Sequence, residues 1–167
     1  MTTAAYSQGV APFYDLFNGD AGRADEQLAL VQRHVKAGAS VLDVGAGTGT
    51  LALTLASAGY RVTALEPDPE MYGQLLARLG TGRDLEQALT PLPRGAGFAL
   101  GSAFDAVVCW AVFHLINARE RHTLIEHAAQ HLAPFVKTSN QIGGKPAQLG
   151  AAVEGAFAAM RAILVMA

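Results

Sequence analysis

The run Val41-Leu42-Asp43-Val44-Gly45-Ala46-Gly47-Thr48-Gly49-Thr50 restricts this chain more than any other stretch. A short apolar segment ends in a carboxylate, three glycines follow at alternate positions, and good helix formers come next. That pattern predicts a buried strand over 40–44, a tight turn, and a helix over 48–57 closed by Gly59. Glycines permit unusual backbone dihedrals and allow a ligand to approach the main chain closely. The N–H groups at the start of the helix form a slightly positive cradle. A strand, turn and helix of this kind is a nucleotide-type site.

The spacing is G-x-G-x-G, whereas the dinucleotide fingerprint is G-x-G-x-x-G; Thr50 stands where its last glycine would fall. Asp43 precedes the first glycine. Farther on, Arg61-Val62-Thr63-Ala64-Leu65 reads as a second strand ending at Glu66, and Pro69 to Leu79 as a second helix. A third strand is expected near Leu85–Leu89. A fourth covers Phe104-Asp105-Ala106-Val107-Val108-Cys109-Trp110. Asn117-Ala118-Arg119-Glu120 has the form of a capping box and opens a helix to about His131. Strands alternating with helices imply parallel pairing through right-handed crossovers.

Asp43-x-Gly45-x-Gly47-x-Gly49, Glu66 after the second strand, and Phe104-Asp105-Ala106-Val107-Val108 resemble, in this order, the class I S-adenosylmethionine-dependent methyltransferases over about residues 38–133. The resemblance implies an α/β, Rossmann-like three-layer sandwich with a mostly parallel central sheet. It also implies S-adenosyl-L-methionine as cofactor and methyl transfer as the reaction. A small-molecule acceptor is favoured, because the fourth strand is followed by Cys109-Trp110-Ala111-Val112 and not by the Asn/Asp-Pro-Pro-Tyr type motif of enzymes that methylate amino groups of DNA and protein. The residues carried over for the cofactor are Asp43, Gly45, Ala46 and Gly47 at its amino-acid end, and Glu66 and Pro67 at the ribose. Met71 would lie against the adenine, and Cys109 and Trp110 across the switch point. Glu66 comes 23 positions after Asp43, where a carboxylate accepts hydrogen bonds from vicinal hydroxyls. For Met71 and Trp110 an ordinary core role competes. Tyr14 and His114 are the candidate general bases, and Tyr14, within Ala11-Pro12-Phe13-Tyr14-Asp15-Leu16-Phe17, also belongs to a possible lid.

Two departures from the family pattern stand out. After the third strand the family has an acid before Leu-Pro that contacts the adenine amine. Here Ala88-Leu89-Thr90-Pro91-Leu92-Pro93 keeps Leu-Pro without the acid, and neither Asp84 nor Glu86 has an assigned place. After Pro134 the usual glycines and closing strands are missing. Residues 135–144 read as loop, Pro146 as the start of a helix, and Ile163–Ala167 as either a strand or a helix end. No room is found for strands five to seven, so the C-terminal part reads as a shortened, rearranged or incomplete form of the fold.

Composition sets the remaining bounds. The 167 residues suit one domain, divided as an N-terminal cap or lid (1–19), a cofactor-binding core (20–133) and an atypical C-terminal segment (134–167). With 51% hydrophobic and 16% charged residues the chain is globular and not disordered. A net charge of −2 argues against nucleic-acid binding through phosphates. The longest apolar run, Ala106–Ile116, is about half of what spans a bilayer. A single cysteine excludes an intrachain disulfide and, with no basic start followed by an apolar run, suggests a cytoplasmic protein. His127 and His131 lie four apart but lack a third ligand, so no metal is expected. Two rivals remain open: a cofactor-binding module without chemistry of its own, and, with the wrong glycine spacing, an NAD-dependent oxidoreductase.

Overall fold

The computed structural model describes residues 9, 11–18, 21–81, 85–112, 115–132 and 163–166. In chain order the elements are α1 (Ala11–Asn18), α2 (Ala21–His34), β1 (Ser40–Val44), α3 (Thr50–Ser57), β2 (Arg61–Leu65), α4 (Pro69–Leu79), β3 (Leu89–Leu92), β4 (Ala106–Trp110), α5 (Ala118–Gln130) and β5 (Ile163–Met166). The five strands form one sheet in the order β3-β2-β1-β4-β5, and every pair is parallel. This is the α/β layered fold expected from the sequence.

Strand alternation sorts the core into two layers. Val41, Val62, Ala64, Ala106 and Val108 point to one face, where they pack against Val31 of α2, Leu51 and Leu55 of α3, and Leu75 and Leu79 of α4. Leu42, Val44, Val107 and Cys109 point to the other, against Phe98, Phe104, and Leu124 and Ala128 of α5. The helix ends follow local chemistry. Asp68 caps α4 by accepting the N–H groups of Glu70 and Met71 at 2.9 and 3.1 Å, with Pro69 just inside the helix. The capping box at α5 is formed: Asn117 Oδ1 accepts the Glu120 N–H at 3.0 Å, and Glu120 Oε2 accepts the Asn117 N–H at 3.1 Å.

Two expectations are corrected. The third strand is Leu89–Leu92 and not 85–89, because Leu85 closes a turn by accepting the N–H groups of Ala88 and Leu89. Pro91 is tolerated because β3 lies at the sheet edge, where a missing donor breaks no ladder. A fifth strand also exists. Ile163–Met166 pairs with β4 in the register Val107↔Ile163 to Trp110↔Met166, a long-range match that no local pattern reveals. The expected loop at 135–144, the helix from Pro146, Asp84 and His114 lie outside the described residues; Glu86 is exposed.

Candidate functional site at the carboxyl end of the sheet

The strand order reverses direction between β1 and β4, so the loops after these strands part and leave a crevice. The β1 loop is built for close approach. Gly45, Gly47 and Gly49 all have positive φ, at 77°, 59° and 87°. A Cβ on Gly45 would lie 2.4 Å from Val112 Cγ2, and one on Gly49 would lie 2.8 Å from Leu75 Cγ. These two glycines therefore serve packing: one admits the turn after β4, the other admits α4. Gly47 differs. Its nearest neighbour would be the Tyr14 ring at 3.9 Å, so its bareness faces the crevice. The N–H groups of Gly45 and Ala46 are fastened to the Leu65 carbonyl at 2.8 and 3.0 Å.

The crevice is lined by Tyr14 of α1, Arg23 and Gln27 of α2, Asp43, the glycine loop from Gly45 to Thr48, and Trp110 with Ala111. Asp43 shares the face of Val41 and so points toward α2 and the crevice. It is 1% exposed, and its Oδ2 has no hydrogen-bond partner among the described residues. Burial, with a smaller contribution from the nearby Glu66 charge, pushes its pKa up to about 7. Ala111 has φ of 53°, a left-handed conformation rare for a residue with a Cβ, and it lies at the crevice wall.

Glu66 is set differently. One carboxylate oxygen accepts the Gly47 N–H and the other the Asp68 N–H, both at 2.8 Å. Its pKa is raised, mainly by burial, against the lowering effect of those two bonds. Each oxygen keeps acceptor capacity, since a carboxylate offers about four lone-pair directions. Glu66, exposed Pro67 and buried Met71 lie outside the crevice lining itself. Met71 is 2% exposed and belongs to the base of α4.

The expected site residues thus separate. Tyr14, Asp43, Gly45, Ala46, Gly47 and Trp110 come together around the crevice, and Glu66 is tied to them through Gly47. Cys109 does not join them as a side chain: alternation sends it to the α5 layer, it is fully buried, and burial pushes its thiol up to about 12. His127 and His131 brace the segment after β3. His131 Nε2 accepts the Leu100 N–H at 2.8 Å, and His127 Nδ1 meets the Phe98 carbonyl. Among the described residues no group of three His, Cys, Asp or Glu side chains could hold a metal ion. Arg23 and Gln27 were not anticipated. The only signal in the sequence is Gln27, a polar residue inside the Ala24–Val31 stripe.

Residues 41–135 match the model of the methyltransferase domain family. The chain is 33% identical over 138 residues to dTDP-3-amino-3,6-dideoxy-alpha-D-glucopyranose N,N-dimethyltransferase of Streptomyces fradiae, with 78% of this chain and 52% of that protein covered. It is 34% identical over 125 residues to ubiquinone biosynthesis O-methyltransferase of Xanthomonas axonopodis pv. citri (strain 306), with 72% and 50% covered. Among solved structures, the glycopeptide N-methyltransferase MtfA complexed with (S)-adenosyl-L-methionine superimposes with a TM-score of 0.61 at 26% identity, covering 66% of this chain and 46% of that one. The chain spans about half the length of the relatives it matches. It belongs to the methyltransferase domain family.

Proposed function

We propose that this member of the methyltransferase domain family binds S-adenosyl-L-methionine in the crevice and transfers its methyl group to a small molecule. The observation that carries the reading is a buried carboxylate in the lining of a crevice that also holds a guanidinium. Asp43 has a buried carboxylate oxygen with no partner among the described residues, and Arg23 is another of the lining residues. An α-amino acid end carries a cation and an anion, and a lining with both charges suits it. A ligand ammonium beside Asp43 would also settle the orphaned oxygen, whose isolation is costly. Gly47 leaves room for the ligand, and Glu66 keeps acceptor capacity for ribose hydroxyls. The cofactor-bound MtfA structure supports the assignment.

When bound, the cofactor supplies a methyl group already activated by its sulfonium. The chain's task is then to hold the reactants in line and exclude water. Tyr14, over Gly47, covers the crevice from the α1 side. Tyr14 and His114 remain our candidates for taking a proton from an acceptor that carries one. An amino-sugar methyltransferase and an O-methyltransferase both occur among the relatives, which supports a small-molecule acceptor. We place the protein in the cytoplasm, on its single buried cysteine; no helix among the described residues is long and apolar enough to cross a membrane.

Calorimetry with S-adenosylmethionine, S-adenosylhomocysteine and NAD tests the reading. Both sulfur ligands are expected to bind and NAD is not. Arg23→Ala should weaken S-adenosylhomocysteine about tenfold, the loss of one charge-assisted contact, and leave decarboxylated S-adenosylmethionine unaffected. No binding of either sulfur ligand to the wild-type chain overturns the proposal. Binding without turnover on a broad acceptor panel favours a non-catalytic module.

A further inference from the structure

The cleft accounts for the glycine loop and its carboxylates but leaves Arg78 unexplained. Arg78 lies in the last turn of α4 and is not itself a lining residue, although Asp15, Thr48 and Thr50, which it contacts, line the cleft. Its Nη1 is 3.1 Å from Asp15 Oδ2, 2.9 Å from Thr50 Oγ1, 3.2 Å from the Thr48 carbonyl and 3.3 Å from Thr48 Oγ1. Thr48, 2% exposed, donates its hydroxyl to the other Asp15 oxygen at 2.7 Å. One guanidinium therefore joins α1, the start of α3 and the end of α4. A second tie holds the approach to α1, where the Gly9 N–H donates to Glu70 Oε2 at 3.0 Å.

We propose that Arg78 is a positioning residue: with Asp15 and Thr48 it clasps α1 onto the glycine loop and so sets Tyr14 over Gly47. Helix α1 gains its tie to the glycine loop from these polar contacts. It is eight residues long, too short to persist alone. Phe13 and Leu16 are 55% and 78% exposed, so these two side chains contribute little anchoring. Asp15 adjoins Tyr14 in sequence, and any shift of the Asp15 backbone moves the Tyr14 ring that faces Gly47. The Arg78–Asp15 pair is partly exposed, 37% and 43% by side chain. It is thus weak enough to open and sensitive to salt. Opening it frees α1 and uncovers the cleft, which makes the clasp a determinant of how long a ligand stays.

The inference rests on the cofactor reading for the ligand but not for the clasp, and two readouts separate them. Trp110 is the single tryptophan and lines the cleft, so stopped-flow fluorescence can follow S-adenosylhomocysteine leaving. Hydrogen exchange of the ligand-free chain follows α1. In Arg78→Met, residues 11–18 should exchange about tenfold faster while β1, β2 and β4 keep their protection. S-adenosylhomocysteine should dissociate about fivefold faster. In the wild type 1 M salt should speed the exchange of residues 11–18, and in Arg78→Met it should not. Asp15→Asn should match Arg78→Met, and the double variant should be no worse than either. Unchanged exchange in α1, or equal acceleration across all strands, overturns the clasp. Faster α1 exchange in Arg78→Met, with no calorimetric binding of either sulfur ligand to the wild type, supports the clasp and overturns the cofactor reading.

Discussion

Two buried carboxylates stand at the ends of neighbouring strands, Asp43 on β1 and Glu66 just past β2, and they are provisioned in opposite ways. Glu66 is filled from within: both oxygens take backbone N–H groups, and one of these, from Gly47, shapes the loop. Asp43 keeps a buried oxygen with no partner among the described residues. Glu66 therefore works as part of the scaffold even before any ligand arrives, whereas Asp43 carries a burial cost in the free chain that a bound proton offsets and, on the proposed reading, a ligand cation would offset. The comparison separates what builds the cleft from what waits in it.

Glu66→Ala offers the sharpest way to break that contrast. It strands the Gly47 and Asp68 N–H groups, so we expect about 2–4 kcal/mol of lost stability in urea unfolding. On the proposed cofactor reading, affinity for S-adenosylhomocysteine should also fall by about fiftyfold or more, because the loop contact and the proposed ribose contact would go together. Unchanged stability would mean that Glu66 is not structural.

Asp43→Asn should separate the two properties. Ligand affinity is expected to drop about tenfold, yet the free variant should be more stable than the wild type at pH 8. The sign follows from burial. Burial raises the Asp43 pKa from its ordinary value of 3.8 to about 7 in the folded state. Between those values the native chain holds a proton that the unfolded chain has released, so stability falls as pH rises from about 4 to about 7. Glu66, also raised, adds to the same trend. The Asn variant should show a shallower slope over that window and converge with the wild type near pH 4. Parallel thermal curves for the two proteins across this range would remove the distinction between the carboxylates.

The smallest effect is expected at Ala111, which follows β4 in the cleft lining. Glycine relieves the left-handed strain but adds unfolded-state entropy, and the two nearly cancel. Ala111→Gly should thus stay within about 0.5 kcal/mol of the wild type, and Ala111→Val should lose about 1–2 kcal/mol. A stable valine variant would show that the turn after β4 is not fixed as described.

The sequence made the middle of the chain readable because there local and global signals agree. The Val41–Val44 strand, the glycine turn, Asp68-Pro69 and the Asn117/Glu120 capping box each carry their own instruction. The rest depends on partners distant in sequence. Leu85 to Leu89 looks like a strand but closes a turn, and β5 gains its identity only from β4. Arg78 reads as an ordinary basic residue completing a helix, and nothing near it announces Asp15 or Thr48. Cys109 and Trp110 are equivalent as neighbours in the sequence, yet a strand sends adjacent side chains to opposite faces, and of the two only Trp110 lines the cleft.

The placement of β5 has a consequence for how the molecule assembles. β1 and β2 lie a short crossover apart and can pair early, whereas Val107 meets Ile163 only after a long excursion of chain. The entropy of closing that loop must be met before the pairing gives anything back. The outer edge of β4 is therefore expected to be the last ladder to zip up, and until it does, a flat apolar edge stays open to other chains.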